Sequence, residues 1–358
     1  MKIESRIAPS PKGDITLYRL TNRTGASVEL STLGAGIVSV AVPDRNGNLV
    51  DVALGYQNPA DYLYDGPCMG KTPGRFAGRI AKGQFSIDGK QYQLPINNGP
   101  NSLHGGPEGF QNQVWNAQVE EGDILTTITF SLFSPDGDMG YPGNMVARVA
   151  YSWPEEENRL SVELMTMTDR PTIANLTNHA YFNLDGENSG SVLNHTLWLR
   201  YPHYLITDAD LVPTGEIAAV KGTPMDFTRP KAIGDDIKQN FQALNYGKGY
   251  DNCWVSKTPV FDTQKVAELR GAQSGIILEV ETNKPGVVVY TGNWLGGSPL
   301  SKSGRPYNDY DGVAIECQNW PDAPNHPEWE DLAYLPEQYS VEEPTYIDFC
   351  FSVESDGQ

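Results

Sequence analysis

The chain lacks the composition of a membrane or nucleic-acid-binding protein. Its 358 residues hold 26 lysines and arginines against 45 aspartates and glutamates, a formal net charge of −19 at pH 7. Nucleic acids and anionic membranes call for a basic surface, so neither partner is expected. No run of about eighteen apolar residues occurs, so no transmembrane helix is predicted. Since no apolar signal segment follows the charged start Met1–Arg6, a cytoplasmic location is expected.

Cysteine is also scarce. The four residues Cys68, Cys253, Cys317 and Cys350 are far apart and form no CxxC pair, which excludes a zinc ribbon or a disulfide framework. Cys253 and Cys317 lie near candidate site residues. Neither has the Gly-rich turn or helix start that would lower a thiol pKa, so both are interpreted as buried small residues.

Signatures of cofactor chemistry are missing as well. Gly105–Gly109 does not have the GxGxxG spacing, and no GxxxxGK[ST] or GxSxG sequence occurs. There is no HxH, no HExxH and no closely spaced set of carboxylates. We therefore expect no nucleotide cofactor and no metal ion.

What the chain does have is short β-branched runs separated by turn residues, with a period of two. They predict strands over 15–21, 27–33, 36–42, 49–54, 114–120, 124–133, 145–153, 159–168, 275–282 and 287–292. Asp88-Gly89 predicts a tight turn between Phe85–Ile87 and Lys90–Leu94.

Helical signals are few. Asn58–Leu63 predicts one turn and Ala232–Gln239 a short surface helix. Glycine and proline are scattered over the chain and mark no linker. The prediction is an all-β fold: one large antiparallel β-sandwich domain over residues 1–358, a length that single all-β domains reach.

Three segments place an ionisable residue among turn-forming or aromatic residues. They contain His104 before Gly105-Gly106, His179 before Tyr181-Phe182, and Glu316 after an apolar run. Two histidines and a glutamate suit proton transfer near neutral pH. Each also has a structural interpretation: a histidine bonded to backbone, or a glutamate held in an ion pair. The local sequence leaves both open.

Arg75 and Arg79 stand four residues apart, and in an extended segment both would face one side. The simpler interpretation is a solvated basic pair. The functional one is a guanidinium that holds substrate hydroxyls or a catalytic carboxylate. Asp251, in Gly249–Asn252, is read most simply as a turn residue.

Taken together and in order, these segments resemble the aldose 1-epimerase (galactose mutarotase) family. The matching stretches are 74–83, 101–109, 178–184, 249–251, 290–293 and 316–323. The family fold is a large β-sandwich, in agreement with the period of two.

The resemblance implies interconversion of the α and β anomers of free aldoses of the glucose and galactose type, without a cofactor. It assigns Glu316 as the base and His179 as the acid. It assigns sugar binding or orientation to Arg79, His104, Tyr181 and Asp251. The expected partner is a small monosaccharide, and the protein is expected to be a monomer or a homodimer.

Three positions depart from the family pattern. Gly78 stands where an asparagine is usual, Asn252 where a histidine is frequent, and Lys284 where some members place a sugar-binding glutamine. These differences bear on substrate preference, because the acid, the base and Arg79 are all present.

Two other functions remain open. A hexose-6-phosphate 1-epimerase would need extra cations near the far end of the sugar, for which Arg75 and Lys284 are the candidates. A non-catalytic sugar-binding sandwich would not need Glu316 together with His179.

The chemistry fixes the expected arrangement. Ring opening removes the proton of the C1 hydroxyl while the ring oxygen is protonated. An ionised Glu316 and a protonated His179 are expected on opposite sides of that bond, with Asp251 and Arg79 favouring these charge states.

Overall fold

Antiparallel strands dominate the structure, a computed structural model that describes residues 1–329, 334–335 and 344–354. The strands of the first half are β1 Lys2–Ala8, β2 Ile15–Thr21, β3 Ser27–Ser31, β4 Gly36–Pro43, β5 Leu49–Asp51, β6 Arg79–Ile80, β7 Gln84–Ile87, β8 Lys90–Gln93, β9 Ser102–Leu103, β10 Asn116–Glu121, β11 Leu125–Ser134, β12 Met145–Pro154, β13 Arg159–Thr168 and β14 Thr172–Ile173. Those of the second half are β15 Tyr181–Phe182, β16 Thr196–Leu199, β17 His203–Thr207, β18 Pro213–Ala219, β19 Lys231–Ala232, β20 Asp251–Val255, β21 Gln264–Arg270, β22 Ile276–Thr282, β23 Gly286–Tyr290, β24 Val313–Gln318, β25 Tyr334–Leu335 and β26 Thr345–Val353.

Helical structure is short. The α-helix α1 spans Gln242–Gly247 and ends where Lys248 adopts a left-handed conformation with φ 58°. Single 3-10 turns cover Pro59–Tyr62, Ala81–Gly83, Phe110–Asn112, Asp138–Gly140, Val192–Asn194, Ile233–Asp235, Ala323–Asn325 and Pro327–Trp329. No helix in the described part of the chain is long and apolar enough to cross a membrane.

Three large sheets make up the architecture of the described residues. A nine-stranded sheet has the order β10-β11-β12-β13-β26-β22-β21-β16-β19, and a six-stranded sheet the order β15-β24-β23-β20-β17-β18. A five-stranded sheet, β1 to β5, runs in chain order. The strands form because alternate residues are apolar: in β12, Met145, Ala147 and Val149 are fully buried while the residues between them are less so.

The six-stranded sheet has two different faces, and this places the site. Val289 of β23 and Ile315 of β24 point into the main core, which also takes residues of the other two large sheets. Their neighbours Val288 and Glu316 must therefore point to the opposite face, because successive side chains of a strand alternate. That face carries the cavity described below.

The predicted all-β antiparallel sandwich is confirmed. The Phe85–Leu94 hairpin is also confirmed, with positive φ angles of 50° at Asp88 and 78° at Gly89 in its turn. The shared core supports the prediction of one domain over residues 1–358, which stays a prediction.

The helix predicted over Ala232–Gln239 is wrong. Ala232 instead pairs with Thr196 of the nine-stranded sheet, and Ile233–Asp235 forms only a 3-10 turn. The α-helix begins ten residues after Ala232, at Gln242, so sheet pairing overrides the local helical pattern here.

Candidate active site

Strand register brings distant residues into two rows on the face of the six-stranded sheet that is turned away from the main core. In one row Glu316 lies opposite Val288, and Val288 lies opposite Cys253. In the other, Ala314 lies between Tyr181 and Tyr290, and Tyr290 lies opposite Asp251. Residues from β15, β24, β23 and β20 thus share one surface.

A cavity of about 440 Å³ lies over these rows. All six residues that the sequence assigns to the site line it: Arg79, His104, His179, Tyr181, Asp251 and Glu316. His104 and Arg79 reach it from neighbouring loops, because the short strands β6 and β9 pair Arg79 with Leu103. The structure therefore gathers residues that are up to 237 positions apart in the chain.

The centre of the site is the contact between His179 and Glu316. Nε2 of His179 lies 3.4 Å from Oε1 of Glu316, and both side chains are about 95% buried. Burial raises the pKa of Glu316 well above its usual value, and Asp251 raises it further while Arg79 lowers it. Burial lowers the pKa of His179 to about 4. In the free protein both shifts favour a proton on Glu316 and a neutral imidazole.

This arrangement corrects two expectations. The two side chains contact each other and do not flank an open gap from opposite sides. Asp251 acts on Glu316, where like charges disfavour the carboxylate, whereas the carboxylate that favours a charged His179 is Asp65. The expectation for Arg79 is met, since its guanidinium lowers the pKa of Glu316 against the larger effect of burial.

His104 is held by main-chain bonds to Gly78. The Gly78 N–H donates to Nδ1 of His104 at 3.1 Å, and the His104 N–H donates to the Gly78 carbonyl at 3.0 Å. A ring nitrogen that accepts a hydrogen bond carries no proton, so neutral His104 presents Nε2–H as a donor. Burial, followed by the effect of His179, lowers the pKa of His104 well below its usual value and keeps it neutral.

Arg79 and Asp251 form a polar corner beside this pair. Nη2 of Arg79 lies 3.7 Å from Oδ2 of Asp251, and Nε of Arg79 donates to Asn98 at 3.0 Å. Burial raises the pKa of Asp251 while Arg79 lowers it. Asp251 is thus a strand residue facing the cavity and not the turn residue of the simpler interpretation.

Aromatic rings form the apolar side of the cavity. The Tyr181 ring lies 5.0 Å from the His179 ring, between centroids, and its hydroxyl donates to the Pro67 carbonyl. Tyr290 and Trp294 also line the cavity, and Trp294 is 62% exposed at its mouth. The segment from Tyr290 to Asn293 is one of the stretches that match the family, but the resemblance assigns it no role.

Gln318 and Thr207 are cavity residues that the sequence analysis missed. Both are buried, and the Gln318 Oε1 and Thr207 Oγ1 atoms have no hydrogen-bond partner among the described residues. A buried polar atom without a partner is costly, so a water or ligand hydroxyl is expected to bind there. Gln318 stands two residues after Glu316 and so faces the same side of β24, a signal present in the sequence.

Two of the three departures from the family pattern take on a structural meaning. Gly78 faces Gln318: a Cβ at position 78 would lie 3.5 Å from the Gln318 Nε2 and 3.1 Å from Pro321. Asn252 also lines the cavity, and neither Nδ2 nor Oδ1 of its buried side chain has a hydrogen-bond partner among the described residues. The third, Lys284, is absent from the described cavity lining.

The cationic candidates for a phosphate are not in the cavity. Arg75 is buried elsewhere, where its guanidinium donates to Ser134 and to the carbonyls of Pro135 and Pro142. Among the described lining residues, Arg79 is the one arginine or lysine. The interpretation of Arg75 and Arg79 as a solvated pair is wrong, since both are engaged.

Cys253 and Cys317 match their interpretation as buried small residues. Cys68, Cys253 and Cys317 are buried, and burial raises the pKa of each thiol, that of Cys317 to about 12. Cys253 lies on the cavity wall but stays protonated. No group of three or more His, Cys, Asp or Glu side chains in the described ranges is arranged to hold a metal ion.

Comparisons with known proteins give a family model, related sequences and related structures. The sequence model of the aldose 1-epimerase family matches residues 16–342. Galactose mutarotase of Sus scrofa is 39% identical over 333 residues, covering 93% of this chain and 94% of the relative. Aldose 1-epimerase of Escherichia coli (strain K12) is 37% identical over 313 residues, covering 87% and 88%. The crystal structure of galactose 1-epimerase from Lactobacillus acidophilus superposes with a TM-score of 0.85 at 27% identity, covering 99% of this chain and all of that one.

Proposed function

The chain belongs to the aldose 1-epimerase family, and we propose that it interconverts the α and β anomers of a free aldose with Glu316 as base and His179 as acid. The observation that carries this proposal is the direct contact between these two buried groups inside a cavity lined by hydrogen-bonding side chains. Such a pair can remove one proton and supply another in the same step.

The two oxygens that exchange protons are attached to the same carbon of the sugar. Glu316 removes the proton of the C1 hydroxyl while His179 protonates the ring oxygen, and the bond between C1 and the ring oxygen breaks. The resulting aldehyde rotates about C1–C2 and recloses with the roles of the two groups reversed. Neighbouring oxygens suit a base and an acid that lie 3.4 Å apart.

Glu316 and His179 share one proton, and the free protein and the reacting state differ in which of the two groups carries it. The free protein favours that proton on Glu316, since burial raises the pKa of the carboxyl and lowers that of His179. Its transfer to His179 across their contact gives the carboxylate and imidazolium that the reaction starts from. Both states hold the same number of protons, so both belong to the same pH range.

The other cavity residues orient the sugar. Neutral His104 donates through Nε2, Arg79 and Asp251 offer donors and acceptors to hydroxyls, and the Tyr181 ring supplies an apolar surface. Gln318 and Thr207 add unpartnered polar atoms on the wall. These groups hold C1 and the ring oxygen at the acid–base pair, which is where positioning lowers the barrier.

A free sugar is favoured over a sugar phosphate. Arg75 is fully engaged with backbone carbonyls, and Lys284 is not among the described lining residues. A dianionic phosphate would therefore meet Arg79 as the one arginine or lysine in the described cavity wall.

Polarimetry of freshly dissolved α-D-glucose, α-D-galactose and α-D-xylose in EDTA tests the proposal. We expect the protein to accelerate the decay of optical rotation above the spontaneous rate for at least one sugar. Hexose 6-phosphates should react no faster than the background. Background rates on all three free sugars would instead support a sugar-binding sandwich without catalysis. Loss of activity in EDTA that a divalent ion restores would contradict a cofactor-free reaction.

We further propose a cytoplasmic protein, monomeric or homodimeric, whose partner is a monosaccharide and not a nucleic acid or a membrane. The net charge of −19 argues against a nucleic acid or an anionic membrane as partner. Light scattering coupled to size-exclusion chromatography would distinguish the two oligomeric states, and a larger assembly would contradict both.

A further inference from the structure

A buried ion pair lies behind His179 and has no part in the chemistry above. Nζ of Lys71 lies 2.5 Å from Oδ1 of Asp65, and the side chains are 1% and 0% exposed. Lys71 also donates to the Tyr62 carbonyl and, at 3.2 Å, to Asn112. Neither Lys71 nor Asp65 lines the cavity, so neither contacts the sugar.

Such a pair is a poor device for stability alone. Removing two charges from water carries a large desolvation cost, and well-packed apolar residues of the same size often replace a buried pair without loss. Oδ2 of Asp65 accepts from the Tyr56 hydroxyl at 2.9 Å and the Met69 N–H at 2.8 Å, whereas Oδ1 makes no hydrogen bond within the described part of the chain and contacts the Lys71 ammonium. Two charges kept in the interior at this cost call for a role beyond packing.

The main chain connects the pair directly to His179. The His179 N–H donates to the Lys71 carbonyl at 2.8 Å, and the Gly70 N–H donates to the His179 carbonyl at 2.9 Å. Asn178 adds a side-chain bond to the Gly70 carbonyl at 3.0 Å. The backbone of His179 is thus fixed from both sides by the segment that Lys71 anchors.

From this geometry we propose that Asp65 and Lys71 are positioning residues for the reaction. The pair anchors the main chain that carries His179 and keeps the charge behind its ring balanced. The inference rests on the proposed function, because it assigns the pair a role in the acid–base step.

The balance matters because the two charges act on His179 in opposite directions. Burial is the main cause that lowers the pKa of His179; the Asp65 carboxylate raises that pKa and the Lys71 ammonium lowers it. With both present their effects oppose each other. Removal of one leaves the other uncompensated in a low-dielectric interior.

Other groups also face His179, and they stay constant in the test. The His104 ring meets the His179 ring edge-on, the Tyr181 ring is tilted against it, Tyr290 lies at 6.5 Å between centroids, and Glu316 contacts it. Three more titratable or charged groups interact electrostatically with these neighbours: Cys68 and Asp251 with Glu316, and Arg79 with His104.

The experiment compares the pH profile of kcat/KM for wild type, Asp65→Asn and Lys71→Met. Lys71→Met leaves the carboxylate, so the profile should move to higher pH; Asp65→Asn leaves the ammonium, so it should move to lower pH. Each shift should be on the order of one pH unit, as expected for a single uncompensated charge acting through the protein interior. kcat should change more than KM, since neither side chain lines the cavity.

Asn112→Asp is the second variant, in case either single removal fails to fold. It keeps the ion pair and adds a carboxylate beside Lys71, so it should move the profile to higher pH, as Lys71→Met does. Lys71→Arg retains the charge and should keep the wild-type profile. Lys231→Met is the control: it breaks a partly buried ion pair of the same 2.5 Å length, with Asp236, that belongs to a different region of the fold. It should lower stability without moving the profile.

Opposite shifts for Lys71→Met and Asp65→Asn support the inference, as does an upward shift in Asn112→Asp. Profiles that stay at the wild-type position in the folded variants, with reduced melting temperatures only, would show that the pair is structural and overturn it. Wild-type protein without mutarotase activity would be a different result, since it refutes the proposed function itself.

Discussion

Gly78→Ala is a sharp test of how the site is built. Gly78 has φ 82°, and its N–H holds Nδ1 of His104. An added Cβ would lie 3.1–3.2 Å from Pro321, a contact that either Pro321 or the Gly78 backbone must relieve by a few tenths of an ångström. The left-handed conformation alone costs a residue with a Cβ about 1–2 kcal/mol.

A shift of the backbone at position 78 would weaken its hydrogen bond to His104 and so reduce activity. Weakening the bond to His104 should cost roughly 0.5–1.5 kcal/mol, the net value of one hydrogen bond. That corresponds to a loss of about 2- to 12-fold in kcat/KM, seen mainly in KM because His104 orients the sugar. Mutarotation rates over a range of sugar concentrations, by polarimetry, would separate KM from kcat.

Gly47→Ala is the matched control. Gly47 has φ 79° in a surface turn, and an added Cβ would meet nothing within 4 Å. Gly47→Ala should lose about 1–2 kcal/mol, or roughly 1–3 °C in melting temperature, and Gly78→Ala at least as much, because its added Cβ also meets Pro321. Only Gly78→Ala should lose activity. Equal activity in the two variants would show that Gly78 does not position His104, and the reasoning would fail.

Three further outcomes are expected. Glu316→Gln and His179→Asn should each abolish most turnover at unchanged melting temperature, and the double variant should be little worse than either; near-wild-type kcat in Glu316→Gln would remove it as the base. Gln318→Ala should raise KM several-fold with little change in kcat, whereas an unchanged KM would mean that its free Oε1 meets no sugar. Acid should destabilise the fold through His195, because burial lowers the pKa of this histidine to about 4. As the pH falls below 6.5, the unfolded state binds a proton at His195 and the native state does not. The free energy of unfolding should therefore fall by up to about 3 kcal/mol. Calorimetry from pH 7 to pH 4 should show a smaller acid loss in His195→Gln, and equal losses would contradict this account.

The strands were predictable because their burial alternates locally. In β12 and β13 alternate residues are buried over ten positions, so the hydrophobic period of two can be recognised without knowing the partner strand. Pairing is a different matter. Strand β26, Thr345–Val353, lies between β13 and β22 and pairs with both. The sequence of β26 does not indicate which of the many earlier strands are its partners.

The site residues could be predicted from the sequence where they belong to a motif. They could not be predicted where their orientation depends on the local backbone conformation. Arg75 and Arg79 would face the same side only if the segment between them were extended throughout. Gly78 has a left-handed φ just before Arg79, so the regular alternation of side chains does not continue from Arg75 to Arg79. The Arg75 side chain instead donates to backbone carbonyls outside the cavity. The Asp65–Lys71 pair had no signal, because its residues became neighbours of His179 only through the fold.

The pH dependence of kcat/KM in the wild-type protein tests the central claim most directly. One proton shared by Glu316 and His179 predicts a bell: activity falls in acid when the pair takes up a second proton, and in base when it loses the only one. Glu316→Gln should abolish the bell together with most of the activity. A flat wild-type profile from pH 5 to pH 9, with ring opening shown to limit the rate, would contradict the acid–base pair.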